Sequence, residues 1–174
     1  MTTVRAPAKI IPRAFPGIKP DEVQEIILNC RVQTYPAGTV LCRENAVEQT
    51  FYMILSGDFE VTKVINNSEK RLLKTLTAGD FFGEMALIHN APRAATVVSK
   101  TDVVVLELDK DGFNRVLKHS PSVSMAMVRE ISNRLRENDE MAIEDLRMRA
   151  AELAQAYQQL AEQDLARREF LTTV

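Results

Sequence analysis

Tryptophan is missing from this 174-residue chain, and cysteine (two), histidine (two) and glycine (six) are scarce. Each shortage excludes something. Cys30 and Cys42 are too few for a disulfide framework, and with no CxxC spacing or histidine cluster they read as reduced, small, mostly buried residues. His89 and His119 have no third histidine or clustered carboxylates beside them, so neither a metal centre nor a general base is expected. No serine sits in a nucleophile elbow and no Walker lysine motif occurs, so the chain is not expected to be an enzyme or to hold a cofactor. Charge of one sign is also lacking: 22 lysines and arginines meet 24 acids, for a net charge of −2. Nucleic acid and anionic membranes are therefore not expected partners. The longest apolar runs, residues 51–55 and 103–106, fall far short of the roughly 20 residues that cross a bilayer. Residues 1–14 are polar and proline-punctuated, with no signal-peptide core, and a cytoplasmic protein is expected. What is present, 45% hydrophobic and 26% charged residues, is the composition of one globular domain with an appendage.

The chain changes character near Ser120. Before it, Gly38, Asn45, Gly57, Asn66-Asn67, Gly79, residues 90–92 and Asp102 punctuate short segments rich in Val, Ile, Thr, Phe and Tyr. That spacing predicts an antiparallel β-sandwich or barrel. Gly57 between two such segments allows the positive φ of a hairpin tip. Lys19-Pro20-Asp21-Glu22 opens a short helix with acids in its first turn, and the strands end at Asp109, where another short helix runs to His119. Ser120-Pro121 then starts a further helix, with serine as the expected cap and proline at the first helical position. Three parts are expected: an N-terminal tail over residues 1–13, a β-rich domain over 14–120 and one long helix over 121–174.

After Pro121 no proline or glycine interrupts the chain. Some 50 helical residues would extend about 75 Å, against a radius of gyration of about 15 Å for a domain of this size. Val128, Ile131, Leu135, Asn138, Ala142, Leu146, Ala150, Leu153, Tyr157 and Leu160 follow one another at steps of three and four. This is a coiled-coil seam, with a stutter between Asn138 and Ala150. A homodimer through residues 121–174 is the simplest arrangement; an amphipathic helix folded back over the sandwich is the alternative. Met125 and Met127 are read as packing residues against the sandwich.

Residues 81–97, FFGEMALIHNAPRAATV, carry the chemistry. Gly83 permits an unusual backbone angle just before the helix-favouring residues 84–87. Unpaired N–H groups at such a start attract phosphate, and Arg93 can donate two parallel hydrogen bonds to phosphate oxygens. Glu84 would repel phosphate unless the ligand also offers hydroxyl donors. A ribose phosphate meets both requirements.

This stretch closely resembles the phosphate-binding cassette of cyclic-nucleotide-binding domains. The resemblance includes PAGTVLCRENAVEQTFYMILSGDFEV and LTAGDFFGEMAL and covers about residues 14–140. Asn45 stands where the family usually has glycine, and asparagine tolerates the same left-handed turn. The resemblance implies a β jelly-roll or barrel with flanking helices, followed by a long dimerisation helix. It implies that Glu84 and the Gly83 carbonyl accept from a ribose 2′-hydroxyl, and that Arg93 binds the exocyclic phosphate oxygens with the N–H groups of Ala86 and Ala94. Met85 and Ala95 complete the ligand-binding set. Ala94, where cGMP-selective members commonly carry threonine, favours cAMP over cGMP. By likeness to the bacterial cAMP-receptor activators, Asn138 and Asp139 would reach the adenine; Asn138 is equally read as a register-setting residue in the seam.

Those activators continue into a DNA-binding domain, for which no sequence remains before Val174, so DNA binding is not expected. Instead LAQAYQQLAEQDLARREFLTTV resembles the linker into the dimerisation helix of sensor histidine kinases, without their phosphoacceptor histidine. The expected function is a cAMP-sensing module that passes ligand state along a dimeric helix, with a kinase as a possible downstream partner. The alternatives are a coiled-coil scaffold with a degenerate nucleotide site, the front end of an enzyme regulated in cis, and a relative of the cAMP-receptor activators lacking the DNA-binding domain.

Overall fold

The computed structural model describes residues 7–65 and 68–172, with side chains to residue 168. The expected turn at Asn66-Asn67 lies outside the described residues, as do residues 1–6 of the expected tail. Contacts divide the chain into two units, Met1–Arg129 and Glu130–Val174.

In the first unit eight strands form two four-stranded antiparallel sheets. One has the order β1 (Arg31–Tyr35), β8 (Val103–Asp109), β3 (Thr50–Ser56), β6 (Phe81–Phe82). The other has the order β2 (Val40–Cys42), β7 (Thr96–Ser99), β4 (Phe59–Ile65), β5 (Glu69–Leu76). The two apolar runs of the sequence are β3 and β8, paired with Met53 opposite Leu106 and buried on both faces. Phe51, Met53, Leu55, Leu106 and Leu108 face a helical layer. Tyr52, Ile54, Val103 and Val105 face the second sheet, where Phe59, Val61 and Val97 meet them. Gly57 takes φ +87°, and an added Cβ would lie 2.6 Å from the Asp102 carbonyl oxygen, so the β3–β4 tip admits glycine for both angle and space.

The helical layer holds α1 (Pro7–Ala14), α2 (Pro20–Asn29), α4 (Lys110–His119) and the first turns of α5 (Pro121–Thr172). The expected tail over residues 1–13 is replaced in its second half by α1, whose Ile10 and Ile11 are buried with Phe15. So short a helix, with Pro12 inside, has no stability of its own and forms because tertiary packing buries its apolar pair. Met127 packs beside Val123, Val116 and Phe113, whereas Met125, expected to pack as well, points outward and is 53% exposed.

One buried acid joins three of these helices. Glu22 forms the carboxylate half of a capping box at the start of α2, accepting from the Lys19 backbone N–H at 2.8 Å. It also accepts from the Ser120 hydroxyl at 2.9 Å, the Ser122 backbone N–H at 3.0 Å and the Ser122 hydroxyl at 2.8 Å. The expected serine cap of α5 is thus corrected: Ser120 donates to Glu22, and the carboxylate borrowed from α2 takes the amide at the α5 start. Burial alone would raise the Glu22 pKa, but these donors outweigh it and bring it from 4.5 down to about 2.

The second unit is the helical segment from Glu130 onward. From Leu135 to Arg168 every side chain is exposed. The seam residues Leu135, Leu146, Leu153, Tyr157 and Leu160 are all among them.

Candidate functional site

Strand β6 delivers Phe82 into the core and then turns sharply at Gly83, which has φ +90°. An added Cβ there would sit 2.6 Å from both the Thr50 carbonyl oxygen and Arg93 Nη1, so glycine is required for its angle and for the space. The turn opens α3 (Glu84–Ile88), which buries Glu84 completely and anchors Ala86 and Leu87 in the interior. Met85 is half-buried. His89 closes the helix through a backbone bond to the Met85 carbonyl, and Asn90 at φ +49° reverses the chain toward Arg93.

Arg93 is 3% exposed, and the fold receives its charge with specific partners. Nη1 donates to the Gly83 carbonyl at 3.0 Å, Nη2 to the Thr50 carbonyl at 2.7 Å and Nε to Glu48 Oε2 at 3.3 Å. The guanidinium carbon also lies 5.9 Å from the centroid of the Tyr52 ring. A guanidinium has five N–H groups, so three bonds fix its plane while leaving capacity on both terminal nitrogens.

The 43–49 loop straps this arginine down. Asn45, at φ +65°, donates its backbone N–H to the Arg93 carbonyl, and the Arg93 N–H donates to the Ala46 carbonyl, each at 2.9 Å. The left-handed turn expected of Asn45 is therefore present. Gln49 reaches the cassette turn through Asn90 Oδ1, which also accepts from Lys110 at the start of α4.

The site is electrostatically dense. Burial first, and then the nearby Glu48 and Glu84 charges against an opposing pull from Arg93, push the Cys42 thiol up to about 12. Cys42 is accordingly an inert core residue; Cys30 is half-buried, its pKa raised chiefly by burial. On the neighbouring sheet face the Tyr35 hydroxyl donates to Glu107 at 2.5 Å, a bond that, with burial, holds the phenol up to about 12.

Of the expected site residues, Gly83, Glu84, Met85, Ala86, Arg93, Ala94 and Ala95 are gathered on α3 and the segment leading into β7. Ala94 is exposed and Ala95 packs against the inter-sheet core. Asn138 and Asp139 lie exposed on α5 in the second unit. Glu48 and Thr50 were not legible as site residues, because their contacts with Arg93 span 45 and 43 positions of sequence. The turn at Asn45 marked their loop but not which side chain points inward. Among the described residues no group of three or more His, Cys, Asp or Glu side chains could hold a metal ion, and no helix is long and apolar enough to cross a membrane.

Comparison with known proteins places the same segment in context. The sequence profile described as "Cyclic nucleotide-binding domain" matches residues 32–120, more than half of the chain. A cAMP-dependent protein kinase regulatory subunit of Blumeria graminis is 48% identical over 83 residues, which are 48% of this chain and 20% of that protein. The regulatory domain of Toxoplasma gondii PKA, crystallised with cAMP, is 34% identical with a TM-score of 0.58, over 63% of this chain and 42% of that one. The Thermus thermophilus catabolite activator protein is 27% identical with a TM-score of 0.68, over 73% of this chain and 60% of that one. The chain spans about a fifth to a quarter of the length of the curated relatives it matches, 20% and 24% for two of them.

Proposed function

The chain belongs to the cyclic nucleotide-binding domain family, and from that premise we propose that it is a cAMP-sensing regulatory module. The observation that carries the reading is the bond of the buried Arg93 to the Gly83 carbonyl, at the sharp turn that leads directly into the buried acid Glu84. Arg93 pairs with the exocyclic phosphate oxygens through its terminal nitrogens, assisted by the N–H groups of Ala86 and Ala94. Glu84 and the second lone pair of the Gly83 carbonyl accept from the ribose 2′-hydroxyl. Met85 and Ala95 border the ligand. The Ala94 methyl offers no hydroxyl to a guanine amino group, which favours cAMP over cGMP. Relatives named as regulatory subunits of cAMP-dependent protein kinase support the same ligand.

Two chains pair through residues 121–174, and Asn138 and Asp139 contact the adenine. Ligand shifts the population between two placements of α4 and the start of α5, which requires a different affinity for each. The change passes along the seam toward a downstream kinase, a role supported by the likeness of residues 153–174 to histidine-kinase linkers.

Calorimetric titration tests the ligand assignment. Charge-assisted hydrogen bonds contribute about 1.5–3 kcal/mol each, so Arg93→Ala weakens cAMP binding by at least about tenfold. Undiminished affinity in that variant, with the fold intact, refutes the phosphate contact.

A further inference from the structure

Arg93 has more than it needs to hold it still. The Gly83 and Thr50 carbonyls orient its two terminal nitrogens, and both are neutral backbone groups. Glu48 takes the remaining edge through Nε, and of these three acceptors it alone brings a charge. Its side chain is 39% exposed against 3% for Arg93, so it reaches from the loop surface onto a cation shielded from water. Glu84, completely buried, directly follows the Gly83 whose carbonyl Arg93 holds, so a second carboxyl group belongs to the adjoining turn. A carboxylate in ion-pair contact with a water-shielded guanidinium offsets part of that group's attraction for a second anion.

Resting on the ligand assignment above, we propose that Glu48 limits affinity: its charge opposes the cyclic phosphate at Arg93 and so sets the ligand concentration at which the site fills. Its hydrogen bond positions the guanidinium; its charge weakens the complex. These two effects separate in different variants. Glu48→Gln keeps an acceptor for Nε and removes the charge, whereas Glu48→Asp keeps the charge.

The experiment is a cAMP titration of the full chain and both variants at low ionic strength and again in about 0.5 M NaCl, with thermal melts to verify folding. Glu48→Gln binds about three- to tenfold more tightly than the unaltered chain at low salt, and the gain shrinks at high salt. Glu48→Asp shows no gain. The proposal is overturned if Glu48→Gln binds no more tightly, or if both variants tighten equally, since the effect would then be one of packing. If the unaltered chain itself fails to bind cAMP, the ligand assignment falls and this proposal with it; binding by the unaltered chain without a gain in Glu48→Gln removes this proposal alone.

Discussion

At the residue scale the site depends on solving one electrostatic problem, the burial of an arginine. An unpartnered interior charge costs several kcal/mol, and the chain offsets that cost with two carbonyls, one carboxylate and an aromatic face. Gly83 makes the arrangement possible, because any side chain there would occupy the space taken by Arg93 Nη1 and the Thr50 oxygen. Gly83→Ala therefore destabilises the domain by about 1–3 kcal/mol through strain at a left-handed angle. It also weakens cAMP binding by more than about tenfold by displacing Arg93; urea unfolding and calorimetry on one preparation measure both, and unchanged affinity would show that the guanidinium does not need this turn. Gly83 and Asn45 were legible in the sequence because left-handed angles restrict residue type. Glu48 was not, because an acid in a polar loop has many ways to point and only the folded loop selects one.

Between elements, one joint outside the site is Glu22, a single carboxylate serving the starts of both α2 and α5. Its folded pKa, about 2, lies below its ordinary value of 4.5, so the ionised form is the one the fold prefers. The stability it contributes is complete above pH 4.5 and is lost as pH falls toward 2. Denaturant unfolding at pH 7, 4 and 3 should show a progressive decline that is reduced in Glu22→Gln, and that variant should be less stable by about 2–4 kcal/mol at pH 7. A parallel decline in both proteins would place the acid sensitivity elsewhere. The sequence announced α2 through its proline and acids, and it announced α4 through the change of period after Asp109. It concealed α1, which has eight residues and an internal proline, because only burial of Ile10 and Ile11 against distant strands makes that segment helical. It also concealed the role of Glu22, which looked like an ordinary first-turn acid yet binds residues 98 and 100 positions away.

For the whole molecule, the alternation of turns and β-rich segments was enough to foresee a sandwich, and the loss of glycine after Gly112 was enough to foresee one long helix. The first compact unit nevertheless reaches Arg129, past the Pro121 at which that helix begins, because Val123 and Met127 belong to the helical core. Beyond it, Leu146, Leu153 and Leu160 lie exposed at regular helical spacing, the pattern that carries the proposed dimer. Leu153→Asp would remove two apolar side chains from each dimer seam, at about 1.5–3 kcal/mol apiece. Sedimentation equilibrium should then show a dimer for the unaltered chain and at least about tenfold weaker association for the variant; a monomer at all concentrations in the unaltered chain would rule the seam out. Every role proposed for these residues depends on the ligand. Calorimetric titration of the purified chain with cAMP and cGMP is predicted to give saturable binding of one nucleotide per chain, tighter for cAMP. A folded protein that shows neither heat nor a rise in melting temperature at millimolar cAMP would contradict it.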